Sequence, residues 1–242
     1  MTKTLLGSAW VTGFLFATVL SSPAHGRPAT SEKTVLVPAA DEPKDDAKPA
    51  GEQTLSRTPE RFLAIAEKLK ATGKYEPKNG STYCNWFARD FVKELLGKPL
   101  PKLSGQANEQ VTKMSASSDW EKGILVYQPT ASGKNHLDGM MAKELQDQQN
   151  SGKLILYCWK HPEWSMDMPK EQRQKLHGHI AVGMPLKSGD LLATDEVWGT
   201  KENPFAVPMT AQSGSRVFPY GKLSRGFGAA RKNDILVFIY KK

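Results

Sequence analysis

Asn79-Gly80-Ser81-Thr82-Tyr83-Cys84-Asn85-Trp86-Phe87-Ala88-Arg89-Asp90-Phe91 is the stretch around which the chain is read. Gly80, Ser81 and Thr82 are loop and N-cap residue types. Phe87, Phe91 and Leu95 then recur at four-residue spacing, Val92 and Leu96 widen the apolar stripe, and Gly97 and Pro99 end it. The pattern predicts a helix with one buried face and Cys84 in its first turn. Free N–H groups and the positive end of the helix dipole favour a thiolate there. The same position also suits a small buried apolar residue or one half of a disulfide. The rest of the chain has to decide between these.

With 242 residues, the chain can bury one substantial core and carry extensions. Residues 1–26 have the form of a secretory signal: Lys3 is the only charge, 5–20 is mostly apolar, and Ser22-Pro23-Ala24-His25-Gly26 offers small residues for cleavage. Gly7, Ser8, Thr12, Gly13 and Thr18 interrupt the apolar run, which argues against an uncleaved anchor. The mature chain is expected to be secreted or periplasmic, without stable membrane insertion. The formal charge of +8 loses only Lys3 with the signal, and the remaining +7 suits an anionic surface such as a cell envelope. The cations are scattered and rarely interleaved with aromatics, so nucleic acid is not an expected partner.

Residues 27–57 are rich in Pro, Ala, Asp, Glu and Lys, and read as a disordered linker. The domain of 58–242 opens with Thr58-Pro59-Glu60, an N-cap followed by Pro and an acid. Phe62, Ile65, Ala66 and Leu69 then share a face, and Gly73 closes the helix. Ala107, Val111 and Met114 are spaced for another helix. Residues 123–127 form a short buried segment after Trp120, 137–149 reads as a helix, and 154–159 as a strand buried on both faces. Residues 160–176 are taken as a polar surface insertion with a short helix from Pro169. Strands are expected at 178–183 and 234–240. Helices first and strands later predict an α+β domain with helices packed on a mainly antiparallel sheet.

A thiol nucleophile needs a base, and the base needs a group that fixes its tautomer. Of the five histidines, His25 falls at the signal, His136 and His161 in loop-like surroundings, and His177 at a strand start. His179 alone lies inside an apolar run that would hold it rigidly. A strand histidine is also commonly a hydrogen-bonded core residue, and both readings stay open. Only His177 and His179 approach a metal-ligand spacing, so a zinc site is not expected.

Residues 83–91 resemble the cysteine motif of the NlpC/P60 and CHAP superfamily of papain-like peptidoglycan hydrolases. Gly178-His179-Ile180-Ala181-Val182 is similar to its histidine strand, in the usual order. Val207-Pro208-Met209-Thr210-Ala211-Gln212-Ser213-Gly214 resembles a segment downstream of the histidine in amidase-like members, including secreted effector amidases. The resemblance covers 58–242 and implies a papain-like NlpC/P60-type domain. It implies Cys84 as nucleophile, His179 as general base and Gln212 as the orienting group, with Asp195 as the alternative. It implies cleavage of an amide in peptidoglycan, endopeptidase or amidase, without a cofactor. A protein inhibitor or immunity partner is not legible in the residues. Asp90 matches a recurrent acid of the motif and reads as structural or paired with a cation. The long insertion at 160–176 departs from a minimal domain. A Cys84–Cys158 bridge would give the competing reading, a non-catalytic envelope-binding protein on the same fold. An acyltransferase or lipid-acting thiol enzyme is a third reading by fold analogy.

Overall fold

The computed structural model describes residues 56–78, 82–126, 139–196, 198–199, 201 and 205–242. The expected signal and nearly all of the expected linker lie outside the described residues. Three helices come first. In α1 (Pro59–Ala71), Thr58 Oγ1 accepts from Arg61 N at 3.4 Å, and Pro59 occupies the first turn, where its missing N–H costs nothing. The second helix, α2 (Cys84–Leu96), ends at Gly97, whose φ of 71° is a left-handed C-cap that a residue with a Cβ adopts at a cost. The third is α3 (Ala107–Ser115).

The strands follow as β1 (Trp120–Val126), β2 (Gly139–Met141), β3 (Ile155–Trp159), β4 (His179–Gly183), β5 (Thr194–Asp195), β6 (Phe205–Ala206), β7 (Met209–Ser213), β8 (Val217–Lys222) and β9 (Leu236–Tyr240). Among them stand α4 (Ala142–Asn150), α5 (Lys170–Arg173) and α6 (Ser224–Phe227). Seven strands form one sheet in the order β2-β1-β9-β3-β4-β7-β8, while β5 and β6 pair separately. All neighbours in the large sheet are antiparallel except β1 and β2. The domain is therefore α+β with a mainly antiparallel sheet.

The continuous apolar strands have a simple cause: the sheet is covered on both faces. Leu156 and Cys158 of β3, Ile180 and Val182 of β4, and Phe238 and Tyr240 of β9 join the core under α1, α2 and α3. Ile155, Tyr157, Ala181, Val237 and Ile239 point the other way, into a second core with Leu145, Trp198 and Phe227. Alternation of side chains along each strand divides the residues between the two cores. On the helical side, the rings of Phe62 and Phe91 meet at 5.8 Å between centroids, and those of Tyr75 and Phe87 meet edge-on at 5.4 Å.

One sequence expectation needs correction. Of the helix expected over 137–149, residues 137–138 lie outside the described residues and the helix starts only at Ala142, because Gly139–Met141 is drawn into parallel pairing with Ile124, Leu125 and Val126. Residues 160–176 are largely exposed and carry the expected short helix after Pro169, and they are also packed against the domain. Trp164 is buried, and Arg173 of α5 pairs with Glu109 of α3 at 3.4 Å. The short β8 contains Pro219, which its edge position tolerates because one side of the strand has no partner to bond. No helix among the described residues is long and apolar enough to cross a membrane.

Candidate functional site

Cys84 is the first residue of α2, which lies against β4. Its N-cap is Tyr83, with φ −116° and ψ 29°, and not one of the small polar residues before it. Gly80 and Ser81 lie outside the described residues, and Thr82 is exposed. Tyr83 makes no side-chain capping bond to the first-turn N–H groups. The backbone N–H groups of Asn85 and Ile180 instead face the Cys84 sulfur. Sγ also lies 4.0 Å from the carbonyl oxygen of Gly178.

His179 opens β4, and its Nε2 is 2.8 Å from Oε1 of Gln212 on β7, in a buried contact. A carbonyl oxygen only accepts, so in this arrangement Nε2 carries the proton and donates it. That leaves Nδ1 as the ring nitrogen for Cys84, with which His179 shares a side-chain hydrogen bond. The Phe227 ring meets the imidazole edge-on at 4.8 Å between centroids. A register shift in the β7–β8 pairing falls between Thr210 and Gln212 and re-aims the glutamine. Gly226 presses on the Gln212 amide so closely that a Cβ there would collide with it. The Gln212 Nε2 is buried without an acceptor, a polar cost that this geometry accepts. Next along β7, Ser213 Oγ donates to the Tyr75 carbonyl oxygen at 2.6 Å and ties the strand to the segment before α2.

The electrostatics couple the two reactive groups. Burial pushes the Cys84 thiol up, but the His179 charge, its hydrogen bond and the N–H groups of Ile180 and Asn85 together bring it below its ordinary range. Burial likewise disfavours the charged imidazole, yet the Cys84 thiolate, their hydrogen bond and the bond to Gln212 raise His179; Arg231 opposes with its own charge. Both shifts favour the thiolate–imidazolium form of the pair, and its two protons titrate as a unit.

Cys158 is one strand away, opposite Ile180. Both cysteines are free thiols. Burial pushes Cys158 well above the ordinary thiol range, and the neighbouring Cys84 charge adds to this. Asp195, the alternative orienting group, is half-buried on β5, where its carboxylate accepts from Ser224 Oγ; the imidazole is bonded to Gln212 instead. Asp90 accepts from Tyr75 Oη at 2.6 Å and pairs with Lys74 at 2.8 Å and Arg89 at 3.0 Å. These contacts tie the segment after α1 to the middle of α2. His161 packs edge-on against Trp159, His177 is exposed, and His136 lies outside the described residues.

One positioning residue was not singled out from the sequence. Asn108 of α3 is buried, donates from Nδ2 to the Leu176 carbonyl oxygen at 2.7 Å, and accepts from His161 N at 3.0 Å. It thereby pins both ends of the insertion that leads into His179. Added at Gly178, a Cβ would strike the Asn108 side chain and come within 2.9 Å of the Trp159 carbonyl oxygen. A signal was present. Asn108 is three residues before Val111, so it shares the buried face of α3 as a polar residue among apolar ones.

Cys84, His179 and Gln212 are thus brought together as a thiol, an imidazole and an amide bonded to that imidazole. Such a line can generate a thiolate, hand a proton to a departing group and later take one from water. Among the described residues no three His, Cys, Asp or Glu side chains converge in a way that would hold a metal. In comparisons with known proteins, no family model and no curated sequence matches the chain.

Proposed function

We propose that this protein is an exported cysteine hydrolase of the papain-like, NlpC/P60 and CHAP-like type, cleaving an amide bond in peptidoglycan. The observation that carries the reading is the buried Cys84–His179–Gln212 line, with His179 Nε2 2.8 Å from Gln212 Oε1. In the reaction, the Cys84 thiolate attacks the amide carbonyl carbon, and the carbonyl electron pair moves to oxygen. N–H groups at the open start of α2 stabilise that oxyanion. As the C–N bond breaks, the His179 imidazolium protonates the leaving amine, and an acyl-thioester remains on Cys84. Neutral His179 then takes a proton from water, the hydroxide attacks the thioester, and the thiolate departs. Gln212 holds the ring in the tautomer that each step uses.

The small exposure of Cys84, 3%, supports a second reading, an envelope-binding protein on the same fold with an inert thiol. Purified peptidoglycan of several wall chemotypes, incubated with reduced wild type and with Cys84→Ala, separates the two. The hydrolase reading expects muropeptides or new amino groups by mass spectrometry from wild type alone, with a loss of at least ~10³-fold in the variant. Wild type that sediments with the wall and releases nothing would put the binding protein in its place.

A further inference from the structure

A cavity of about 560 Å³, a size typical of small-ligand sites, opens where the end of β3 meets the start of β9. Trp159 forms one wall and is the direct cross-strand neighbour of His179. Ile124, Pro162 and Leu236 complete an apolar lining, and Ile124 is 41% exposed, large for an aliphatic side chain in a sheet. The charged groups at the cavity are Lys160, Arg231 and Asp234. The Arg231 guanidinium lies over the Trp159 ring at 4.2 Å from its centroid, and Lys160 over Trp164 at 5.0 Å. Neither cation is paired with a carboxylate among the described residues.

Stacking on an indole orients a guanidinium while leaving its N–H edge free, and that edge matches a carboxylate in a bidentate fork. One anion placed there balances the excess of two cations over one carboxylate. A second anion would meet Asp234, which disfavours polyanions. We propose that this cavity is a subsite for a peptide segment ending in a free carboxylate, gripped by Arg231, with its apolar side chain against Trp159 and Ile124. The inference deepens and rests on the hydrolase reading, because it gives one flank of the scissile amide a place next to His179.

The test uses the full chain carrying Cys84→Ala, so that binding is read without turnover. The probes are N-acetyl-Ala-Leu with a free carboxylate and the same dipeptide as its carboxamide, titrated by calorimetry and by Trp fluorescence. The acid is expected to bind at least ~10-fold more tightly than the amide. Arg231→Met, which keeps packing volume on Trp159, should remove that difference, while Lys68→Gln on α1 should preserve it. Near-ultraviolet circular dichroism verifies that the variants retain the fold. Equal binding of acid and amide overturns the proposal, as does a difference that survives Arg231→Met, or no measurable binding of either peptide. Discrimination through Arg231 in a protein whose wild type cleaves no wall would keep the carboxylate site and discard the hydrolase. Cleavage without discrimination would do the reverse.

Discussion

Cys84 and Cys158 share one core and one sheet neighbourhood, yet they are opposite kinds of thiol. Both are almost fully buried, and burial is the leading influence on each, pushing toward the neutral form. At Cys84 that influence is overcome by the His179 charge and hydrogen bond and by two backbone N–H groups, that of Asn85 in the first turn of α2 and that of Ile180 on β4. At Cys158, in the middle of β3, the backbone groups are committed to the sheet and the side chain meets only core. Reactivity in this molecule therefore follows the local donors and charges, and not burial itself.

The largest effect expected from this contrast is chemical. Iodoacetamide near neutral pH should alkylate Cys84 at least ~100-fold faster than Cys158 in the native protein, as read by peptide mass spectrometry. Comparable labelling of the two would break the comparison. Removing the cation should nearly erase it. In His179→Ala, burial acts on Cys84 with its main counterweight gone, so the thiol should rise above its ordinary value.

The pH dependence sharpens the same point. Alkylation of Cys84 in wild type should climb through a midpoint below the ordinary thiol range, because deprotonation creates the reacting form. In His179→Ala that midpoint should move upward. Hydrolysis should be bell-shaped. It is lost on the acid side as the thiolate is protonated, and on the alkaline side as His179 loses its proton above the ordinary histidine value. A hydrolysis rate rising monotonically to high pH would remove His179 from the role of acid.

A substitution away from both reactive atoms probes how the imidazole is held. Gly226→Ala should displace the Gln212 amide and lower the single-turnover acylation rate by ~10–100-fold, with little change in the substrate concentration needed. An unchanged rate would mean that Gln212 does not orient His179. The smallest effect is reserved for the quiet thiol. Cys158→Ser should cost about 1–3 kcal/mol in denaturant unfolding, because it puts a hydroxyl among apolar strands, and should leave the rate per folded molecule unchanged.

How much of this was legible in the sequence depends on the distance over which each cause acts. The faces of α1 and α2 followed from spacings of three to four residues, the stop at Gly97 from its residue type, and the β3, β4 and β9 strands from short apolar runs. Cys84 at a helix start and His179 inside a buried strand followed from equally local patterns. Gln212 entered through resemblance, ahead of Asp195 as the alternative, and the structure places the glutamine on the imidazole and Asp195 on Ser224. The late start of α4 was not legible, because it is set by pairing with β1. Nor was the packed state of the insertion, which depends on Asn108 more than fifty residues before its His161 partner.

The sequence alone thus determined an α+β chain with a cysteine opening a buried helix and a histidine within a buried strand, since hydrophobic patterning and capping act between near neighbours. Which side chains share a hydrogen bond, how the two cysteine environments differ and that Arg231 stacks beside His179's neighbour Trp159 were decided by the tertiary structure. These depend on strand order, register and one bulge, which bring together residues far apart along the chain and have no local periodicity to announce them.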